Sequence, residues 1–151
     1  MAIKKLIVTV IVFLALFSFD KKMLFPQEYS LAQDEAAAQA FIIRIGASIA
    51  IFAQLHDFKM PDSLDVLVKS RPAYLDKYFT KTENNGYRYN VELYPSAFKI
   101  TAAPIECGVT GNKIFVLQGS SEEIKMQIEK AKNGDVAGID NNSQIQKYPC
   151  K

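Results

Sequence analysis

Few side chains in this sequence are equipped for chemistry. The single histidine, His56, stands beside Asp57, and a carboxylate can orient an imidazole as a general base. The same pair closes a long apolar stretch, where a histidine instead complements the carboxyl end of a helix dipole. The second reading suits its surroundings better. One histidine and two distant cysteines, Cys107 and Cys150, do not supply the donor sets that zinc takes. Ser120 and Ser121 sit in a turn with no histidine to activate them. Glu122 and Glu123 are adjacent and on a strand would point to opposite faces, so they make no acid–base pair. The chain has neither a phosphate-cradling glycine loop nor a GxSxG elbow. It is therefore expected to have no enzyme activity, no metal and no cofactor. Tyr87, Tyr89 and Tyr94, with Arg88, form the aromatic cluster best suited to face a ligand. Aromatic side chains also pack well in ordinary strands.

The element that must organise all of these is Asp34 to Phe58. Between Glu35 and Asp57 it carries one charge, Arg44. Phe41, Ile45, Ile49 and Phe52 recur at helical spacing, with Ile42 and Leu55 flanking the stripe. Asp34 and Glu35 stand where the amino end of a helix favours anions. A helix this apolar needs cover on more than one side: a sheet on one, and a neighbouring helix, another subunit or lipid on the other. Residues 36–55 spanning a membrane is a further alternative. Arg44 near the centre opposes it by about 2.5–3.5 kcal/mol.

Beyond this helix, Asp62 or Ser63 caps a short helix of Leu64, Val66, Leu67 and Val68, which stops before Pro72. Tyr74, Leu75, Tyr78 and Phe79 suit one or two more helical turns. Asn84-Asn85-Gly86 predicts a turn, after which the period changes to two. Tyr87 to Leu93 alternate, Tyr94-Pro95-Ser96 turns the chain, and Phe98, Ile100 and Ala102 alternate again. An apolar run from Ile114 to Leu117 and a half-buried strand through Ile124, Met126 and Ile128 follow. Residues from Asn133 form a polar tail. The expected fold is α+β, a long N-terminal helix on a three- to four-stranded antiparallel sheet with a short helix between.

The chain has 151 residues and a net charge of +2, which gives one domain with appendages. No Lys/Arg-dense stripe suggests a nucleic-acid partner. Lys4 and Lys5 precede an uncharged run, Leu6 to Phe19, so residues 1–19 are read as a signal peptide or N-terminal membrane anchor. Residues 20–33 read as a linker interrupted by Pro26, and residues 34–151 as the domain with its polar tail. Export would place Cys107 and Cys150 in an oxidising compartment and predict a bridge between them. That bridge would close a loop of about 40 residues. Unpaired thiols or an intermolecular bridge are the alternatives.

The stretches AAAQAFIIRIGASIAIFAQLHDFKMPDSLDVL, NNGYRYNVEL and FKITAAPIECGVTGNKIFVLQGSSEEIKMQ together resemble the globular domain of type IV pilin-like proteins and pseudopilins. The matching positions are Pro61, Ser63, Leu64 and Leu67; Asn85 to Arg88; Phe98, Ile100, Ala102 and Pro104; and Gly108, Thr110, Gly111, Lys113 and Phe115. The resemblance covers residues 34–130 and not the N-terminal run, which has no glycine–phenylalanine leader pair. It implies a pilin-like α+β fold and a C-terminal region bounded by a disulfide. It also implies a non-enzymatic interaction protein of the cell envelope, accessory to a pilus or type II secretion-like assembly. Its partners would be envelope proteins or itself, with the membrane engaged through an uncleaved N-terminal segment. From another class, a periplasmic module binding a small ligand at a tyrosine-rich sheet face is the alternative.

Overall fold

The computed structural model describes residues 27–132 and 145–150. Helix α1 (Gln27–Leu55) is followed by α2 (Leu64–Lys69) and a single 3-10 turn (Lys77–Thr80). Strands β1 (Glu83–Asn84), β2 (Tyr87–Tyr94), β3 (Ala97–Pro104) and β4 (Lys113–Ser120) come next, then α3 (Ser121–Lys132) and β5 (Ile145–Pro149). The fold is α+β, with α1 laid over a five-stranded antiparallel sheet of order β1-β2-β3-β4-β5. The sheet thus has one strand more than the upper expectation.

The core lies between α1 and the sheet. Ala38, Phe41, Ile42, Ile45, Ile49, Phe52 and Ala53 are buried on the helix, and Tyr87, Tyr89, Phe98, Ile100, Phe115 and Leu117 on the strands. The helix approaches β4 so closely that a Cβ on Gly46 would sit 2.6 Å from Leu117 Cδ2. Leu55, expected to flank the inward stripe and pack with it, is 64% exposed. At 3.6 residues per turn it lies about 80° round the helix from Ile45, past the margin of the sheet. The stretch Ser30–Leu55 is long and apolar enough to cross a membrane by length and composition alone. Its inner side is nonetheless the core that the sheet covers, so spanning would strip the sheet of its packing.

Helix α1 is described from Gln27 onward, and so takes in the second half of the expected linker. The run 1–19 and the rest of the linker lie outside the described residues. Around α2, Ser63 takes the extended N-cap conformation without a side-chain capping bond. The expected helical turns after Pro72 reduce to the 3-10 turn, where Asp76 Oδ1 accepts the Tyr78 N–H at 2.7 Å.

Two expected elements are corrected. Ile124, Met126 and Ile128 lie on helix α3, not on a strand. Ile124 and Ile128 are also four apart, which one helix face satisfies, and Met126 is 50% exposed. Ser120 and Glu123 decide between the two periods. The Ser120 N–H donates to Glu123 Oε2 at 2.9 Å and the Glu123 N–H donates to Ser120 Oγ at 3.2 Å, a reciprocal capping box. Glu122 and Glu123 therefore sit in the first turn of a helix, where its dipole favours them. The polar tail also contains a strand: β5 pairs with β4, Ile145 opposite Leu117 and Pro149 opposite Lys113. Only Ile145 of β5 is buried, so its alternation is hidden in the sequence.

Candidate functional site

The three tyrosines do not form one face. Odd-numbered side chains of β2 turn towards α1, and even-numbered ones away from it. Tyr87 is fully buried, its hydroxyl donating to the Lys113 carbonyl at 3.0 Å. Tyr89 is buried against Phe41 with ring centroids 4.2 Å apart. Burial pushes the Tyr87 phenol up to about 12, with the nearby Glu35 charge adding to the shift, and burial raises Tyr89 as well. Tyr94 is 50% exposed and donates to Glu92 Oε2 at 2.6 Å. The expected ligand face is therefore split between the core and the solvent, as a period of two requires.

His56 is a helix-end residue. Its Nδ1–H donates to the Phe52 carbonyl at 2.8 Å, and its ring stacks on Phe52 at 3.9 Å. No hydrogen bond joins it to Asp57. The helix closes with Asp57 and Phe58 both at positive φ (55° and 61°), and the Phe58 N–H donates to the Ala53 carbonyl at 2.8 Å.

Cys107 and Cys150 are bonded, with their Cα atoms 5.9 Å apart. Beside them is an anchor that the sequence pattern did not reveal. Glu35 accepts the Asn112 N–H at 3.0 Å and Lys113 Nζ at 2.6 Å. Burial pushes its carboxyl up, but the bonds from Lys113 and Asn112 outweigh this and hold it below its ordinary 4.5. Cys150 N–H in turn donates to the Asn112 carbonyl at 3.0 Å. The disulfide loop, β5 and the amino half of α1 are thereby tied at one point. Ser48, buried on α1, donates to the Tyr74 carbonyl at 2.8 Å and fixes the chain after α2.

Among the described residues, two surfaces stand out. One is the outer face of α1. Ala36, Ala40, Arg44, Ile51, Gln54 and Leu55 are exposed along it, with Ala47 half-buried. Ile51 is 48% and Leu55 64% exposed, and Arg44 is the only formal charge in this row. The other is an open cleft of about 520 Å³ at the carboxyl end of α1, between α2 and the end of β2. Phe52, Met60, Val66 and Leu93 give it apolar walls, and His56, Lys59, Asp62 and Tyr94 its polar rim. Among the described residues no group of His, Cys, Asp and Glu is placed to hold a metal ion. Comparison with family models, curated proteins and solved structures returns no match.

Proposed function

We propose that this chain is an exported, non-enzymatic, pilin-like α+β protein that works through protein–protein contacts at the cell envelope. It acts as an accessory to a pilus or type II secretion-like assembly. The observation that carries this reading is the outer face of α1, which leaves Ile51 and Leu55 in solvent on a helix already committed to the core on its other side. Large apolar side chains grouped on one exposed helix face suit a protein partner. The Cys107–Cys150 bond is of the kind that oxidising compartments sustain. The run Leu6 to Phe19 supplies the export signal or anchor.

The test replaces Ile51 and Leu55 together by Asp. Both are exposed, so the fold should persist, at a cost of about 1–2 kcal/mol for two carboxylates near the carboxyl end of the helix. Cross-linking in intact cells should lose the envelope partners of the wild-type protein. Retention of every cross-link by a folded variant would sink the reading. Ile49→Asp is the contrasting control, since Ile49 is fully buried and the folded protein should be lost.

A further inference from the structure

We propose that the edge of β2 beyond β1, unpaired among the described residues, and the cleft beside it bind an extended peptide segment of another protein, which adds a strand to the sheet. This uses a different surface from the outer face of α1, so it stands or falls independently of the pilin-like reading.

The backbone makes the first requirement. Asn85 and Gly86, both at positive φ, connect β1 to β2 with Asn84 opposite Tyr87, the geometry of a two-residue hairpin. Two residues on, the Tyr89 N–H donates to the Thr82 carbonyl at 2.7 Å. Odd-numbered residues of β2 thus turn their N–H and C=O groups away from β3. β1 extends no further along β2. At Val91 and Leu93, the next odd positions, these groups have no partner among the described residues. A row of unpaired donors and acceptors at two-residue spacing is the complement of another extended chain.

The second requirement is a place for side chains. A strand added to β2 would alternate its side chains in step with the sheet. Those beside Val91 and Leu93 would project to the α1 side, where Phe52, Met60, Val66 and Leu93 wall the cleft. Lys59 and Asp62 line the same cleft and make no ion pair among the described residues. Lys59 therefore favours an acidic residue, and Asp62 a basic one, in a segment seated there.

The two edges of the sheet differ in a way that points to the same site. β5, at the far edge, carries Lys147 and Pro149, devices that discourage added strands. Asn90 to Leu93 has neither lysine nor proline, and its register with β3 runs without a bulge. The occupant is thus an extended segment with two apolar residues at alternate positions and one acidic and one basic residue beside them.

The experiment uses the full chain with its disulfide intact, labelled for amide NMR. It is titrated with a panel of short peptides of alternating apolar and polar residues carrying one aspartate and one lysine. A saturable shift of the Val91 and Leu93 amides is expected, with at least tenfold weaker binding when alternate peptide amides are N-methylated. Val91→Pro removes one outward N–H without touching the bonds to β3 and should weaken binding similarly, as should Lys59→Glu. The N-methylated peptides keep the test valid if Val91→Pro does not fold. Unshifted Val91 and Leu93 amides across the panel, or equal binding of N-methylated peptides, overturns the proposal. It is also overturned if octanoate displaces the peptides and binds as tightly, which makes the cleft a small-ligand site. Concentration-dependent shifts of these amides without peptide overturn it in favour of a second copy.

Discussion

Glu35 joins two distant parts of the chain through one carboxylate, and its chemistry is directly testable. Its folded pKa lies below its ordinary 4.5. The stability it contributes is therefore fully present above that value. It fades as the pH falls through the folded pKa and is absent below it. Glu35→Gln should lower unfolding free energy at neutral pH by about 1–3 kcal/mol, nearer the lower figure because Lys113 is half exposed. In urea titrations the gap between wild type and variant should close below the acidic transition. Gly111 offers a second residue-scale test. A Cβ there would collide with the Tyr87 hydroxyl, displacing it from the Lys113 carbonyl. Gly111→Ala should cost about 1–3 kcal/mol by overpacking and the loss of a buried hydrogen bond.

Among the elements, α3 is the one whose identity rests on a single pair of side chains. Ser120→Ala removes the acceptor for the Glu123 N–H and should cost about 1 kcal/mol, read as a lower urea midpoint at unchanged slope. The case also shows what could be read from the sequence. Ser120-x-x-Glu123 is a helix start in plain view, but Ile124, Met126 and Ile128 also fit a strand, and periodicity alone does not separate the two. The helix α1, the turn at Asn85-Gly86 and the strands β2 to β4 were legible because their apolar spacing and turn residues agree. β5 was not, because a short edge strand with one buried residue carries no alternation. The Glu35 anchor was illegible for another reason: its partners Asn112 and Lys113 come together with it only through the register of β4. The tyrosine face failed on arithmetic, since Tyr94 has the opposite parity from Tyr87 and Tyr89.

For the whole molecule, the Cys107–Cys150 bond spans 43 residues and holds the last strand to the sheet. Replacing both cysteines by serine should lower stability by about 3–4 kcal/mol on the chain-entropy estimate, measurable in urea with and without reductant. In protein taken from its native envelope, alkylation should occur only after reduction. Intact mass would then show whether residues 1–19 have been removed or retained.

The plain order of the sheet has a further consequence, for rates. Each strand lies beside its neighbours in sequence, so β1 to β3 can zip through the two tight turns at Asn85-Gly86 and Pro95-Ser96 before any distant contact is made. β5 must instead return across residues 121–144, a late closure that contributes little to the folding barrier. Stopped-flow measurements should show substitutions in the β2–β3 hairpin slowing refolding, and substitutions in β5 mainly hastening unfolding. The last strand and its covalent tie then govern how long a folded molecule survives, while the hairpins govern how quickly it forms.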